Sequence, residues 1–236
     1  MTTGRRTRIA PATALGVALA ALLGACGGQG STSLSAGDAT ATGGAGSVAA
    51  AVAQRVVLGG SDLPGYEADP PATIDATATK AASSFQACAG AASALGDADR
   101  SAVSPGFYKG VGTLVTSLAV VSPDQAAAER AMAELSREDV ATCLTTLFKD
   151  ALALDQLPGT TARTERLAAA EVSDDSITWR TTIEVTSKQA SGVVYSDLTL
   201  FRSGRTVAAL FNVQAATPFP SAERKRLLEA MIERTA

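Results

Sequence analysis

"VVYSDLTLFRSGRTVAALFNV", residues 193–213, decides how this chain folds. Two runs rich in valine, leucine, threonine and aromatics flank the pair Ser203-Gly204. β-Branched and aromatic side chains suit a pleated, half-buried surface. A small residue followed by glycine between two such runs fits a two-residue hairpin turn. Residues 193–202 and 205–213 are therefore predicted as two antiparallel strands.

Working outward, Ile177, Trp179, Ile183 and Val185 alternate with Thr178, Arg180, Thr182 and Glu184, and Thr181 interrupts the apolar side. That period of two predicts a strand with one wet face. A weaker strand is read at about 161–170. "VGTLVTSLAVV", 111–121, is apolar on both sides, as a central strand must be. Helices fill the rest. "SVAAAVAQRVVLGG" from Ser47 ends at Gly59-Gly60, and "SDLPGYE" is a turn set by Pro64-Gly65. Lys80–Leu95 is helix-like, and "GDADRSAVSPG", which follows it, reads as loop. Ser122 as N-cap with Pro123 at the first helical position starts a helix running to about Leu135. Another begins near Ser136, with Val140, Cys143, Leu144, Leu147 and Phe148 on one stripe, and Gly159 ends that region. Pro220 and Ser221 open the closing helix, with Leu227, Leu228, Met231 and Ile232 inward and Arg224, Lys225 and Arg226 as a solvated face. The expectation is an α+β domain: an antiparallel sheet of about five strands with helices packed on it and a C-terminal helix.

The N-terminal residues speak of compartment. "MTTGRRTR" carries three arginines and no acid, and Ile9 to Ala25 is an uncharged run of 17 residues. A spanning helix wants roughly 20 apolar residues, so a signal peptide over 1–25 fits better. It closes on Leu23-Gly24-Ala25-Cys26, which resembles the bacterial lipobox. The resemblance implies diacylglycerol on Cys26, which becomes the first mature residue. Residues 26–46 then form a glycine-, serine- and threonine-rich tether, and 47–236 a single domain. The expected location is the cell membrane, lipid-anchored, on its extracytoplasmic face.

Removing the leader leaves 17 basic against 23 acidic residues, a net charge of −6. That excludes a nucleic-acid partner, which needs clustered bases. Aromatic residues make up only 4% of the chain, so alanine and valine must build the core. With Cys26 given to lipid, Cys88 and Cys143 remain, and in an exported protein such a pair predicts a disulfide. Closing a loop of about 55 residues stabilises by roughly 4 kcal/mol on the chain-entropy model.

The chain has no histidine. This removes Ser-His and Cys-His nucleophile activation and most zinc sites. No S-x-x-K dyad precedes any lysine, "GFYKGVGT" lacks a phosphate-loop ending, and Asp174-Asp175 reads as an exposed turn rather than a calcium loop. No metal, cofactor or catalytic residue is expected. Carboxylate-based hydrolysis leaves no linear trace and stays open. Trp179, Tyr195 and Phe211, on adjacent strands, are the candidates for lining an apolar binding pocket, with core packing as the alternative.

"GGSDLPGYE", "FQACAG", "SPGFYKGVGTLVTSLAVVSPDQAAAERAMAEL", "ATCLTTLF" and "VVYSDLTLFRSGRTVAAL", followed by "PFP" and a helix, resemble a group of actinobacterial secreted proteins and lipoproteins. That group is distantly similar to the extracellular sensor domain of mycobacterial transmembrane serine/threonine kinases. The resemblance covers 47–236 and implies a central cleft that takes a ligand. The sensor domain has two disulfides, whereas this chain can form one. Neither a kinase domain nor a second membrane segment is read in these 236 residues. The resulting expectation is a non-catalytic surface lipoprotein that binds a small molecule, lipid or envelope protein. A carrier of lipid or glycolipid and a carboxylate-dependent hydrolase are the alternatives.

Overall fold

The hairpin forms, with its turn one residue later than the sequence suggests. In the computed structural model the described residues are 45–68, 98–110, 112–151, 159–168, 172, 175–186 and 191–236. The strands β7 (Ser191–Ser203) and β8 (Thr206–Ala215) pair from Val194↔Ala215 to Ser203↔Thr206. The two-residue turn is therefore Gly204-Arg205, and Gly204 carries the positive φ of +56°. A tight hairpin needs positive φ at its first central position, which glycine adopts without a Cβ clash.

The hairpin is the middle of one antiparallel sheet of eight strands. β6 (Ser176–Thr186) and β5 (Thr160–Arg166) extend it beyond β7. On the other side β8 pairs along the whole of β4 (Thr113–Val121). Both β2 (Ser101–Val103) and β3 (Phe107–Lys109) lie on the far edge of β4, and β1 (Glu67–Ala68) pairs with β3. These three short strands raise the count above the expected five. At two or three residues each, they are too short for alternation to show. Part of "GDADRSAVSPG" is thus strand rather than loop, broken by Ser104-Pro105-Gly106 because proline cannot donate to the ladder. Ser104 bridges the break. Its N–H donates to Ser117 O, and its Oγ accepts from Ser117 N, both at 2.9 Å.

Among the described residues, four helices cover both faces. They are α1 (Ala45–Val56), α2 (Gln125–Leu135), α3 (Asp139–Ala151) and α4 (Ser221–Glu233). On one face α2 and α3 pack against Leu114, Leu118, Ile177, Trp179, Leu200 and Phe211. On the other, α1 and α4 pack against Phe107, Val115, Ala119, Phe201 and Leu210. Strands buried on both faces read as continuous apolar runs, which is why β4 and β8 do. Thr181, the interruption in β6, joins a hydroxyl chain. Thr145 on α3 donates to Thr164 on β5 at 2.8 Å, and Thr164 meets Thr181 at 2.8 Å.

Two helix starts differ from expectation. Asp124 caps α2, accepting from Ala127 N at 2.7 Å. Ser122 is committed elsewhere: its N–H donates to Arg205 O at 2.8 Å. The helix α3 begins at Asp139, since Ser136 terminates α2 by donating from Oγ to Met132 O at 2.6 Å. Gly159, at φ +77°, sits before β5 with its Cα facing Thr186 O so closely that a Cβ would lie 1.9 Å away. Cys143 on α3 is disulfide-bonded. Its expected partner Cys88, the Lys80–Leu95 helix, the leader, Cys26 and the tether up to residue 44 lie outside the described residues, while Ala45 and Gly46, read as tether, open α1. No helix among the described residues is long and apolar enough to cross a membrane.

Candidate functional site

The structure divides the three expected pocket residues between the two faces of the sheet. Trp179 and Phe211 flank Leu198 in one cross-strand row, buried under α2 and α3. The Trp179 Nε1–H donates to Leu135 O at 3.1 Å, which satisfies the indole inside the core. Tyr195 is on the opposite face, where the Arg180 guanidinium lies 5.7 Å from its ring centroid. The three do not share a pocket. Strand parity alone could not reveal this, because the register sets which odd residues share a face.

Arg180 leads to a polar cluster under α4. Asp197 on β7 is fully buried. Arg180 Nε donates to its Oδ1 at 2.6 Å and Nη2 to Oδ2 at 2.7 Å, a bidentate pair. Arg224 of α4 donates from Nη1 to the same Oδ2 at 2.7 Å. Arg224 is therefore turned inward, not part of the solvated face expected for 224–226, because the buried carboxylate needs a second cation. The Asp197 hydrogen bonds raise the Arg180 pKa against the opposing effect of burial. Beside Asp197 in register is Asn212, 1% exposed, whose amide N and O have no partner among the described residues. With both oxygens held by guanidinium groups, Asp197 is no general base. The cluster's chemistry is positional: it fastens α4 to the sheet.

Among the described residues, a site with room for a ligand is at the other end of the hairpin. A cleft of about 670 Å³ opens between α1, the β7–β8 turn and the end of the chain after α4. Its floor is apolar, Ala49 and Val52 of α1 with Val121 of β4, and the exposed Val48 stands at its mouth. Three arginines border it, and no aspartate or glutamate lines it. Each comes from a different element. Arg55 is in the last turn of α1, Arg100 closes a short 3-10 turn (Ala98–Arg100), and Arg205 is the second residue of the hairpin turn. Backbone carbonyls hold two of them. Arg100 donates from Nε to Val121 O at 2.7 Å and from Nη2 to Ser122 O at 2.9 Å. Arg205 Nη1 donates to Pro123 O at 3.2 Å. Among the described residues, neither Arg55 nor Arg205 has a carboxylate partner. On one wall Thr235 Oγ1 donates to Ser203 Oγ at 2.7 Å, tying the chain beyond α4 to the hairpin.

The sequence reading missed this cleft. Its arginines stand at positions 55, 100 and 205, so no linear motif joins them. The one available signal was an arginine directly after a turn glycine, a place where a long cation projects from a sheet end. Asp175, the described half of the acidic turn, pairs with Arg202. Among the described residues no three His, Cys, Asp or Glu side chains gather to hold a metal ion. Comparison with protein-family models, with curated proteins and with solved structures finds no match.

Proposed function

We propose that this chain is a lipid-anchored protein of the extracytoplasmic face of the membrane, whose domain at 47–236 binds a ligand without transforming it. The observation that carries the reading is the cleft at the hairpin end. Its 670 Å³ falls within the range of small-molecule sites, about 300–1,000 Å³. An apolar floor with a few fixed polar groups is the composition such sites share. The lining side chains offer guanidinium groups and hydroxyls but no carboxylate, thiol or histidine, so they supply donors without a general base. The basic, apolar leader ending at Leu23–Cys26 supports the anchor.

A carrier holding whole acyl chains would need a cavity well above about 1,000 Å³, so the cleft favours the binding module. Two tests follow. Mass spectrometry of molecules co-purifying with the native lipidated protein should recover a ligand. A screen against esters, glycosides, phosphoesters and peptides should show no turnover. Reproducible turnover abolished by mutating one acid would replace this reading with a hydrolase.

A further inference from the structure

We infer that the cleft between α1 and the β7–β8 turn takes an oxyanion-bearing amphiphile, its phosphate or carboxylate held by Arg55 and Arg205 and its apolar part laid on Val48 and Val52. This rests on the cleft being the ligand site. Three features set the charge preference. The protein is acidic overall, yet the cleft gathers three arginines and no acidic side chain, with Ala236 on its wall. In the rest of the domain, buried or half-buried arginines such as Arg180, Arg224 and Arg234 point at carboxylates. Arg55 and Arg205 are exposed and, among the described residues, face no carboxylate, so their charge is available to a ligand. Arg205 is also oriented by a carbonyl, which leaves guanidinium N–H groups beyond Nη1 for an incoming anion. A planar fork with several donors matches a carboxylate or phosphate in two parallel hydrogen bonds.

The apolar floor sets the second preference. Val48 is 64% exposed, the one large hydrophobic side chain in the described domain left so open, and it stands at the mouth of the cleft. An acyl or other apolar segment beside the anion would cover it. Both a membrane lipid headgroup and a free phosphate-bearing metabolite offer this chemistry. On the reading of Cys26 as the anchor, the cleft borders the first turns of α1, where the sequence from Cys26 enters the domain, so lipids are near at hand.

Calorimetric titration of the full-length chain separates these cases. The probes are inorganic phosphate, monomeric dihexanoylphosphatidylglycerol and dihexanoylglycerol, which keeps the chains and lacks the phosphate. Phosphate and the anionic lipid should bind, each about tenfold or more weakly to Arg55→Gln and to Arg205→Gln. Arg205→Lys should recover part of the loss, and Arg163→Gln, an exposed change on β5, should alter nothing. The anionic lipid binding about tenfold more tightly than phosphate assigns a lipid headgroup; equal affinity assigns a free oxyanion. All variants alter exposed side chains, and unchanged thermal midpoints confirm that they fold. Val48→Trp fills the mouth. Binding lost in Val48→Trp but indifferent to both arginines overturns the oxyanion assignment while leaving the cleft as ligand site. Phosphate and anionic lipid that do not bind wild type, or whose binding ignores both arginines and Val48→Trp, overturn the oxyanion assignment; a set of co-purifying molecules unchanged by Val48→Trp overturns the cleft as ligand site as well.

Discussion

Asp197 shows what one buried charge demands of its surroundings. Desolvating a carboxylate costs several kcal/mol unless good geometry returns it, and here two arginines from different elements close on it. Replacing Asp197 with alanine leaves two guanidinium groups facing each other under α4. Urea unfolding should show a loss of about 3–5 kcal/mol; a loss below about 1 kcal/mol would mean that water already screens the cluster. Asp62 makes the acid limb of stability testable. Burial alone would raise its pKa. The Arg234 hydrogen bonds, the Gly59 N–H, and the charges of Arg234 and Arg226 together outweigh burial and hold it below the usual value. The folded state thus binds its proton more weakly than the unfolded chain. The stabilisation is complete above the ordinary carboxylate range and is lost as pH falls below about 4. Asp62→Asn should be less stable than wild type at pH 7, with the gap narrowing at pH 3. A gap independent of pH would show that Arg234 contributes packing alone. Neither cluster was legible in the sequence. Asp197 lies at an ordinary strand position, and only the register with Arg180 and the crossing of α4 reveal its burial.

At the scale of elements, local chemistry competes with tertiary pairing. Ser122-Pro123 is a good helix start on propensity alone, yet the helix begins at Gln125 and Asp124 does the capping, its Oδ1 accepting from Ala127 N, while the Ser122 backbone pairs with the hairpin at Arg205 O. Asp124→Ala should lower stability by about 1 kcal/mol, read from the denaturation midpoint, while Ser122→Ala, which leaves the Asp124 cap in place, should change that end of the helix little. Equal losses from both would contradict the assignment. Gly159→Ala meets a backbone oxygen, not a side chain that can step aside. It should destabilise the start of β5 by roughly 2 kcal/mol, visible as early hydrogen exchange at Thr186 N–H, which donates to Gly159 O at 2.8 Å. Long elements with a clear period were readable: β4, β6, the hairpin and α4. Strands of two or three residues were not, since β2 and β3 exist only because β4 offers an edge and Ser104 spans the proline break.

The whole molecule is a sheet clad on both faces, and the two faces divide the labour. The α2–α3 side is apolar core, including Trp179 and Phe211, which the sequence offered as pocket residues. The α1–α4 side carries the buried Asp197 cluster and, past the hairpin turn, the arginine-bordered cleft. Apolar strand residues announce themselves by period, whereas a cleft made where a helix, a 3-10 turn and a hairpin meet has no period to read. Compartment rests on a different part of the chain. Cys26→Ser should move the protein from the membrane fraction to the soluble fractions or leave it unprocessed, and unchanged fractionation and mature mass would refute the anchor. The most direct measurement compares molecules that co-purify with the native full-length protein and with its Val48→Trp variant, by mass spectrometry. A species present with wild type and depleted from the variant is the expected result. An identical set from both would contradict ligand binding in the cleft.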